Sequence, residues 1–346
     1  MVKIEWIARF AGNSGYSEAA RQYCIALKRL GADLICTSID LKYWRGYEWM
    51  ADSTRKNPEG YFKVMHDMPF APSPGYYTTF EFNTIPEQWY FPLKDSKVVM
   101  VPSEFTKTAF SRVIDGSKVH VINHGVSPKF SPFGPSVDLI SDVELPEFKF
   151  LSVFEWVERK CGDRLVKAFQ QEFGKGDDVG LFIKTRGSRK APLLVNKVPG
   201  CKIYFIDGFV HDMAQLYRAF DAYISCSSGE GWGETLSEAM ACGLPTIGTN
   251  HGGNLEFMND ENSFLVDVEE WQPVGYNSLE PIVAPWMQHR PPRVDAIADK
   301  MRFVYENRDT ALVKERAKKA RRVGQDFTWE KAAKKIIDIV EAMQHV

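Results

Sequence analysis

The sequence predicts an α/β protein whose two doubly wound domains face each other across a central cleft. Its 346 residues are too many for one ordinary core, because domains of about 150 residues are typical. Short apolar runs alternate with helical periods in both halves of the chain, which is typical of successive strand–helix units. Between the halves, prolines at 128, 132, 135 and 146 and a glycine at 134 indicate a linker.

These observations predict a first domain at residues 1–135, a linker at 136–147 and a second domain at 148–327. In doubly wound sheets, ligands bind outside the carboxyl ends of the strands. We therefore expect the functional side chains in loops that follow strands.

The first half begins with a strand–helix–strand unit. VKIEWIARF is strand-like, and GNSG forms a turn. From Ser17 to Leu30 a helix is predicted by apolar residues at a helical period, namely Ala20, Tyr23, Cys24, Leu27 and Leu30. Gly31 predicts the end of this helix, and ADLICTSI predicts the next strand. Further strands are expected at YFKVMH, YYTTFEF, KVVMVPS and KVHVIN.

The second half repeats this alternation. FKFLSVFEWV predicts its first strand, and a helix near Asp163 to Phe173 and the strands VGLFIKT and CKIYFID follow. A helix from Asp212 to Phe220 precedes the strands AYISC and PTIGT, and the pattern is helical from Val294 onward.

Composition excludes several classes of protein. The apolar fraction of 44% and the charged fraction of 25% are ordinary for a globular chain, and a net charge of −2 argues against a nucleic-acid binder. No apolar run approaches the ~20 residues of a membrane helix, and the N-terminus lacks a signal-peptide core. We expect a cytoplasmic protein, with peripheral contact at the inner membrane surface left open.

The cysteine and histidine patterns argue against a metal centre. The six cysteines contain no CxxC pair, and neither HExxH nor DxD occurs. The sequence therefore predicts reduced cysteines and no fixed metal site, with a loosely held Mg²⁺ left open.

A carboxylate-rich elbow, SSGEGWGETLSEAM at residues 227–240, follows the strand AYISC. Thr235-x-x-Glu238 fits a capping box, in which Glu238 reaches a free backbone N–H. A cap explains neither Glu230 nor the placement of Glu234 and Glu238 on one helical face, where like charges repel. The flanking glycines allow close approach of a ligand, and a helix N-terminus accepts an anion. The elbow thus favours a ligand with both sugar and phosphate parts.

The segment EGWGETLSEAMACGLPTIGTNHGGNLE resembles the E-x7-E signature of the retaining nucleotide-sugar glycosyltransferases of family 4, which have the GT-B fold of two Rossmann-like domains. VPSEFTKTAF with KVHVINHGVSPKFSP, FLSVFEWVERKCGDRLVKAF and DFTWEKAAKKIIDIV resemble other segments of that family. The resemblance covers most of the chain and is weak at residues 41–95 and 268–292. It implies that a C-terminal helix at about 328–346 packs back on the first domain.

The resemblance implies that Glu238 accepts hydrogen bonds from the donor ribose and that Glu230 is a catalytic residue at the transferred sugar. The donor would also be lined by Trp232, Gly233, Glu234 and Thr235. Departure of the leaving phosphate from the front face is preferred over a glycosidase-like pair of opposed carboxylates, because both acids arise from one short segment.

The turn after FKFLSVFEWV resembles the family's phosphate site. Arg159 and Lys160 would bind the donor diphosphate and stabilise it as a leaving group, with a solvated charge pair as the alternative. Where the family usually has Gly-Arg, this chain has Phe154-Glu155. We therefore expect Arg159 to bind the phosphate in place of the family's arginine. Lys184 is a further donor-binding candidate, with a surface lysine as the alternative.

Four other groups are weaker candidates. The loop with Gly12, Ser14 and Gly15 resembles the family's glycine loop near the donor phosphate or acceptor, with a simple tight turn as the alternative. His66, a second catalytic candidate, would face the transferred sugar or serve a structural role. Gly208 and Val210 match the segment that meets the donor base, and the aromatic residues at 43–49 would either bind the acceptor or pack in the core.

The predicted function is metal-independent, retaining transfer of a hexosyl unit from a UDP- or GDP-sugar to an unidentified glycan, lipid or protein. The sugar nucleotide is then a substrate, and we expect no tightly bound cofactor. Two alternatives stay open: a nucleotide-sugar 2-epimerase of the same fold, and a non-catalytic sugar-nucleotide-binding subunit, which the departure at Glu155 suggests. The sequence leaves the oligomeric state open.

Overall fold

The computed structural model describes residues 1–12, 14–40, 48–54, 56–139, 144–185, 200–206, 210–275, 284 and 286–344. They form two compact units, one of Met1–Gly125 with Phe327–Val346 and the other of Val126–Asp326. Each unit holds a parallel six-stranded sheet with helices, which confirms the predicted α/β class. Within the described residues, no helix combines the length and apolar character needed to cross a bilayer.

The division between the units falls after Gly125, ahead of the boundary predicted at residue 135. Arg218 explains the position of the intervening segment, because its guanidinium donates to the carbonyl oxygens of Ser131 (3.1 Å) and Pro135 (2.7 Å). The ring of Phe130 also lies against Tyr217, with centroids 6.0 Å apart. The proline-rich segment at 128–135 therefore packs on the second unit.

The sheet of the first unit has the strand order β2-β1-β3-β4-β5-β6, and every neighbouring pair is parallel. The strands are β1 (Lys3–Ala8), β2 (Asp33–Ser38), β3 (Phe62–His66), β4 (Gly75–Tyr77), β5 (Val98–Val101) and β6 (Val119–Val121). The helices are α1 (Gly15–Arg29), α2 (Glu48–Ser53), α3 (Tyr90–Lys94) and α4 (Glu104–Ser111), with short 3-10 turns at Glu87–Trp89 and Gly116–Lys118.

The predicted strand YYTTFEF is shorter than expected. Strand β4 ends at Tyr77, because the Tyr16 hydroxyl binds both the N–H and the carbonyl oxygen of Thr79, each at 3.1 Å. These backbone groups bond to a side chain instead of a neighbouring strand. The chain therefore leaves the sheet where the sequence predicts that it continues.

The core of the first unit combines residues from the first strand and helix of the chain with residues from its last helix. Alternate residues of β1, such as Trp6, and the apolar face of α1, with Tyr23 and Leu27, are buried together. The last helix of the described chain, Trp329–Gln344, contributes Trp329 and Ile336 to the same core.

The sheet of the second unit has the strand order β12-β11-β10-β7-β8-β9, again parallel throughout. Its strands are β7 (Phe148–Val153), β8 (Val179–Lys184), β9 (Ile203–Ile206), β10 (Ala222–Ser225), β11 (Thr246–Thr249) and β12 (Phe264–Val266). A separate antiparallel pair comprises β13 (Gln272–Pro273) and β14 (Gln288–His289).

The helices of the second unit cover this sheet and follow the predicted order. They are α5 (Gly162–Glu172), α6 (Met213–Tyr217), α7 (Glu234–Ala241), α8 (Val294–Glu306), α9 (Ala311–Ala320) and α10 (Val323–Asp326), and α11 is the Trp329–Gln344 helix of the first unit. Helix α5 presents Leu165, Val166 and Phe169 to a core built from β7, β8 and β10. Because β7 and β10 are neighbours, the loops after their carboxyl ends lie side by side.

Candidate functional site

The elbow between β10 and α7 takes its shape from Gly233. This residue has φ of +98° and precedes the first residue of α7, in a conformation that L side chains rarely adopt. A Cβ there would also lie 3.2 Å from Leu236 Cδ1 and 3.3 Å from Asn254 Cβ. Glycine at 233 therefore lets the chain turn directly from the loop into the helix.

The predicted capping box at Thr235 and Glu238 is wrong. Helix α7 begins at Glu234, and its N-cap position is Gly233, so Thr235 and Glu238 both lie inside the helix. The Glu238 carboxylate instead accepts a hydrogen bond from the Tyr217 hydroxyl at 2.9 Å. This contact joins α7 to the end of α6.

Lys160 and Arg159 lie against Glu230 in one charged cluster. Lys160 Nζ is 2.5 Å from Glu230 Oε1, and an Arg159 guanidinium nitrogen is 3.6 Å from Glu230 Oε2. The side chains of Arg159 and Glu230 are only 12% and 11% exposed. The two cations predicted for the diphosphate and the acid predicted for the sugar thus meet in the second unit, beside the start of α7.

The backbone also ties the two loops of this cluster together. Ser228 N–H donates to the Arg159 carbonyl oxygen at 2.8 Å, and the Arg159 guanidinium donates to the carbonyl oxygen of Gly229 at 3.1 Å. The loop after β7 is therefore fixed directly to the loop after β10.

The charges around Glu230 decide its protonation. Burial alone would raise the pKa of its carboxyl group, but the charges of Lys160 and Arg159, together with hydrogen bonds from Lys160 and Ser227, lower the pKa below its ordinary value. Glu230 is therefore a carboxylate at neutral pH, and it shares this small buried space with two cations.

Residues that sequence reasoning missed hold the loop of Glu230. Gly253 N–H donates to the Glu230 carbonyl oxygen at 2.7 Å, and the preceding Gly252 has φ of +104°. A Cβ on Gly252 would lie 3.0 Å from the backbone nitrogen of Glu230. The Ser228 hydroxyl lies 2.7 Å from His289 Nδ1. The paired glycines belong to the segment that resembles family 4, whereas His289 follows a stretch without any motif.

The other predicted donor-binding residues of the second unit lie on several of its strands, helices and loops. Lys184 ends β8 and is 8% exposed, so the alternative of a surface lysine is wrong. Trp232 is buried, and its ring packs on Phe257 with centroids 4.8 Å apart. Glu234 and Thr235 form the first turn of α7, and Val210 is half-buried in a loop.

Gly208 lies outside the described residues, as do residues 43–47 of the aromatic group.

Glu155, where the sequence departs from the family pattern, is exposed. Its carbonyl oxygen accepts a hydrogen bond from the N–H of Val157 at 2.8 Å, within the loop that leads from β7 to Arg159. The basic side chains at Glu230 are therefore supplied by the 3-10 turn Glu158–Lys160, and Glu155 lies upstream of that turn.

In the first unit, the glycine loop leads into a capped helix. The Ser14 hydroxyl accepts from Ser17 N–H at 3.3 Å, and Gly15 begins α1. Arg21 donates to the carbonyl oxygen of Gly12 at 2.9 Å, and a Cβ on Gly12 would lie 2.6 Å from Ser17 Oγ. The described part of this loop is thus a tight, internally bonded turn, and Asn13 lies outside the described residues.

His66 is the last residue of β3 and is 3% exposed. Its Nδ1 accepts a hydrogen bond from Trp6 Nε1 at 3.2 Å, and its ring lies 4.7 Å from that of Tyr77. Burial, with a smaller contribution from the charge of His124, holds its pKa well below the ordinary value. His66 is therefore a neutral imidazole inside an aromatic cluster, at the carboxyl end of its strand.

Acidic, histidine and cysteine side chains do not gather into a metal site: within the described residues no group of three or more is placed to hold an ion.

The comparisons with known proteins begin with the second unit. Residues 146–274 match the family model for the glycosyl transferases of group 1. The GtfA subunit of UDP-N-acetylglucosamine–peptide N-acetylglucosaminyltransferase from Streptococcus gordonii is 36% identical over 121 residues, which are 34% of this chain and 23% of that protein. The chain thus matches less than a quarter of the length of this relative.

Solved structures are similar over nearly the whole chain. Sucrose-phosphate synthase from Thermosynechococcus elongatus has a TM-score of 0.69 and 17% identity, and the match covers 99% of both chains. HepE from Anabaena, in complex with UDP-glucose, has a TM-score of 0.68 and 14% identity over 99% of this chain and 100% of that chain. At these identities the likeness shows the fold, which is GT-B, and confirms the predicted fold class.

Proposed function

We propose that this protein, in which residues 146–274 form a group 1 glycosyl transferase segment within a GT-B fold, transfers a hexosyl unit from a nucleoside-diphosphate sugar to an acceptor with retention. The acceptor belongs to one of three classes: a glycan, a lipid or a protein. The donor is of the UDP or GDP type. The sugar nucleotide is a substrate, and the proposed reaction uses no tightly bound cofactor.

One observation carries the proposal, namely the cluster of Lys160, Arg159 and Glu230. Two cations and one carboxylate leave a net positive charge in a site where each side chain is less than a fifth exposed. Buried cations bind phosphate oxygens more strongly than exposed cations, because water screens them less. Helix α7 begins four residues after Glu230, at Glu234, and the N–H groups at the start of a helix also bind phosphate.

The same cations supply the chemistry that the transfer needs. When the bond between the sugar and the diphosphate breaks, negative charge grows on the leaving oxygen, and Lys160 and Arg159 stabilise that charge. We propose that an acceptor hydroxyl attacks from the face that the diphosphate leaves, and that its proton passes to the leaving phosphate oxygen. Glu230 then serves as a carboxylate at the transferred sugar.

Glu238 is proposed as the ribose contact. Its carboxylate accepts a hydrogen bond from the Tyr217 hydroxyl at 2.9 Å, which orients it. The two oxygens of a carboxylate suit the two adjacent hydroxyls of a ribose. Trp232, Gly233, Glu234, Thr235, Lys184 and Val210 remain proposed donor contacts, and His66, Gly12, Ser14 and Gly15 remain proposals in the first unit.

The experiment begins with the donor. Calorimetric titration with UDP, GDP and ADP identifies the base, and we begin with UDP because HepE was solved with UDP-glucose. Lys160→Ala should weaken binding of the preferred nucleotide at least tenfold, which corresponds to the ~1.4 kcal/mol of a charge-assisted hydrogen bond. Lys167→Ala, an exposed lysine of α5, is the matched control and should bind like the wild type.

The outcomes separate the proposal from its rivals. Release of the nucleoside diphosphate from a sugar nucleotide, with retention in the product, supports transfer. Formation of an isomer of UDP-N-acetylglucosamine without acceptor would identify a 2-epimerase. Donor binding with no turnover under any condition would identify a non-catalytic subunit, for which the exposed Glu155 is the motivating residue. Equal binding by Lys160→Ala and wild type would contradict the phosphate role.

A further inference from the structure

His289 connects the antiparallel pair β13–β14 to the loop that carries Glu230. The residue ends β14 and is 7% exposed, and its Nδ1 lies 2.7 Å from the Ser228 hydroxyl. The backbone repeats the connection, because Arg290 N–H donates to the Ser228 carbonyl oxygen at 3.3 Å. The pair β13–β14 lies within residues 268–292, where the resemblance to family 4 is weak. Family resemblance therefore assigns His289 no part.

The pair β13–β14 is anchored beside the turn that supplies the two cations. Arg164, in the first turn of α5, lies 2.6 Å from the Glu269 carboxylate and donates to the Pro292 carbonyl oxygen at 3.1 Å. A Cβ on Gly275 would lie 2.8 Å from Glu158 Oε1, so the backbone of this segment lies against the turn Glu158–Lys160. His289 is thus held by a segment that packs on both sides of the cations.

Ser228 holds the backbone of Arg159 through two donors. Its N–H lies 2.8 Å and its hydroxyl 3.2 Å from the Arg159 carbonyl oxygen. A carbonyl oxygen has two lone pairs and can accept both hydrogen bonds. The Cys161 thiol lies 3.6 Å from the same oxygen, but a thiol is a weak donor. The hydroxyl of Ser228 is therefore the side-chain group best suited to fix this carbonyl.

The proton of the Ser228 hydroxyl can serve only one of its two contacts. A carbonyl oxygen only accepts, so the contact with Arg159 requires the hydroxyl to donate. The contact with His289 is then made only if Nδ1 carries a proton and donates to the hydroxyl oxygen. With the proton of His289 on Nε2 alone, the hydroxyl would donate to Nδ1 and the Arg159 carbonyl would lose this bond. One protonation pattern thus makes both contacts.

We infer that His289 is a positioning residue, whose Nδ1–H donates to the Ser228 hydroxyl, directs the hydroxyl proton to the Arg159 carbonyl oxygen and so fixes the turn whose cations bind the donor diphosphate. The inference rests on the proposed function for the diphosphate, and on the contacts of Ser228 for the proton. It makes a segment outside the family motifs part of the support of the phosphate site.

Nuclear magnetic resonance on the full chain, labelled with ¹⁵N-histidine, tests the proton. Long-range ¹H–¹⁵N correlation distinguishes a protonated Nδ1 from a protonated Nε2, and the signals missing from His289→Asn identify those of His289. We expect Nδ1 to be protonated in the wild type. A bare Nδ1 with the proton on Nε2 overturns the inference, whatever the protein binds.

Calorimetry with inorganic pyrophosphate tests what the contact is for. His289→Asn places an amide near the position of Nδ1, whereas His289→Gln places it near Nε2, so only the asparagine variant can still donate to Ser228. We expect His289→Gln to bind pyrophosphate about threefold to tenfold more weakly than wild type, as for the loss of one hydrogen bond, and His289→Asn to bind it like the wild type. His120→Gln, at a half-buried histidine of β6 in the first unit, is the matched control.

A double-mutant cycle separates this path from a general loss of structure. Ser228→Ala should weaken pyrophosphate binding as much as His289→Gln does, and the double variant should bind no more weakly than either single variant, because one chain of contacts is broken in all three. Additive losses, or equal losses in the asparagine and glutamine variants, would overturn the inference.

The inference and the proposed function fail in different ways. If Lys160→Ala weakens pyrophosphate binding while His289→Gln binds like the wild type, the proposed phosphate site stands and the part assigned to His289 is wrong. If the wild type binds neither pyrophosphate nor any nucleoside diphosphate, the proposed function is refuted and the use assigned to His289 falls with it.

Discussion

Lys160 Nζ lies 2.5 Å from Glu230 Oε1, so the cation proposed for the donor diphosphate is already paired with the acid proposed for the sugar. Arg159 lies 3.6 Å from the second oxygen of the same carboxylate. An incoming diphosphate must therefore share these cations with Glu230. Glu230 compensates one of the two cationic charges before the donor arrives, which lowers the cost of burying them.

Replacement of Glu230 by glutamine should tighten binding of the free nucleoside diphosphate while it abolishes transfer. The substitution removes a buried negative charge that both competes for Lys160 and repels phosphate, so we expect an affinity gain of about threefold to tenfold. Calorimetry with UDP and with GDP measures it. Glu315→Gln, an exposed acid of α9 with the same change in charge, should leave the affinity unaltered. Weaker binding by Glu230→Gln would show that the carboxylate assists the diphosphate.

The pKa of Glu230 leads to a second prediction, on acid stability. Burial would raise its pKa, but the charges of Lys160 and Arg159 and the hydrogen bonds from Lys160 and Ser227 together lower it in the folded protein from an ordinary value of 4.5. A lowered pKa contributes stability that is fully present above the ordinary value and is lost as the pH falls through the folded value. The difference in free energy of unfolding between wild type and Glu230→Gln should therefore be constant above pH 4.5 and fall below it. Urea denaturation over this range measures it, and a difference that stays constant below pH 4.5 would contradict the prediction.

The loops that hold Lys160, Arg159 and Glu230 could be predicted from the sequence because each residue follows a recognisable strand. The carboxyl ends of parallel strands lie at one edge of a sheet, so loops that are distant in the chain meet there. The pairing of β7 with β10 places the two loops side by side. The motifs thus predicted which loops hold these three residues, whereas their contact depends on a strand order that the sequence alone does not predict.

The partners of these residues could not be predicted in the same way. Tyr217 reaches Glu238 across 21 positions, and His289 reaches Ser228 across 61. Neither tyrosine nor histidine stands in a pattern that sets it apart from other core residues. The capping box failed for a related reason, since the left-handed backbone of Gly233 starts α7 at Glu234 and takes Thr235 away from the cap position.

Gly252→Ala should destabilise the second unit and displace Glu230. Residue 252 has φ of +104° and ψ of −172°, a conformation reserved for glycine, and an added Cβ would lie 3.0 Å from the Glu230 nitrogen. We expect a loss of ~1–3 kcal/mol in the free energy of unfolding, together with reduced turnover. Gly174→Ala, where an added Cβ meets no atom within 4 Å, is the matched control. Equal urea midpoints for the two variants would contradict the strain assigned to position 252.

Tyr217→Phe tests whether the hydrogen bond to Glu238 prepares a ribose site. The ring of Tyr217 is fully buried between Phe130 and Tyr223, so the variant keeps its packing and loses only the hydroxyl at 2.9 Å from the carboxylate. With its orientation loosened, Glu238 should bind the ribose less well, and the affinity for UDP should fall about threefold to tenfold, as for the loss of one hydrogen bond.

Inorganic pyrophosphate separates this effect from a general change in the site, since it has the phosphates and lacks the ribose. Its affinity should be equal in Tyr217→Phe and wild type. Tyr305→Phe is the matched control, because its hydroxyl accepts a hydrogen bond from the N–H of Asp178 at 3.3 Å, and it should keep the affinity for UDP. If Tyr217→Phe weakened both ligands equally, the hydroxyl would support the fold of the site as a whole, and Glu238 would lose the ribose role that we propose for it.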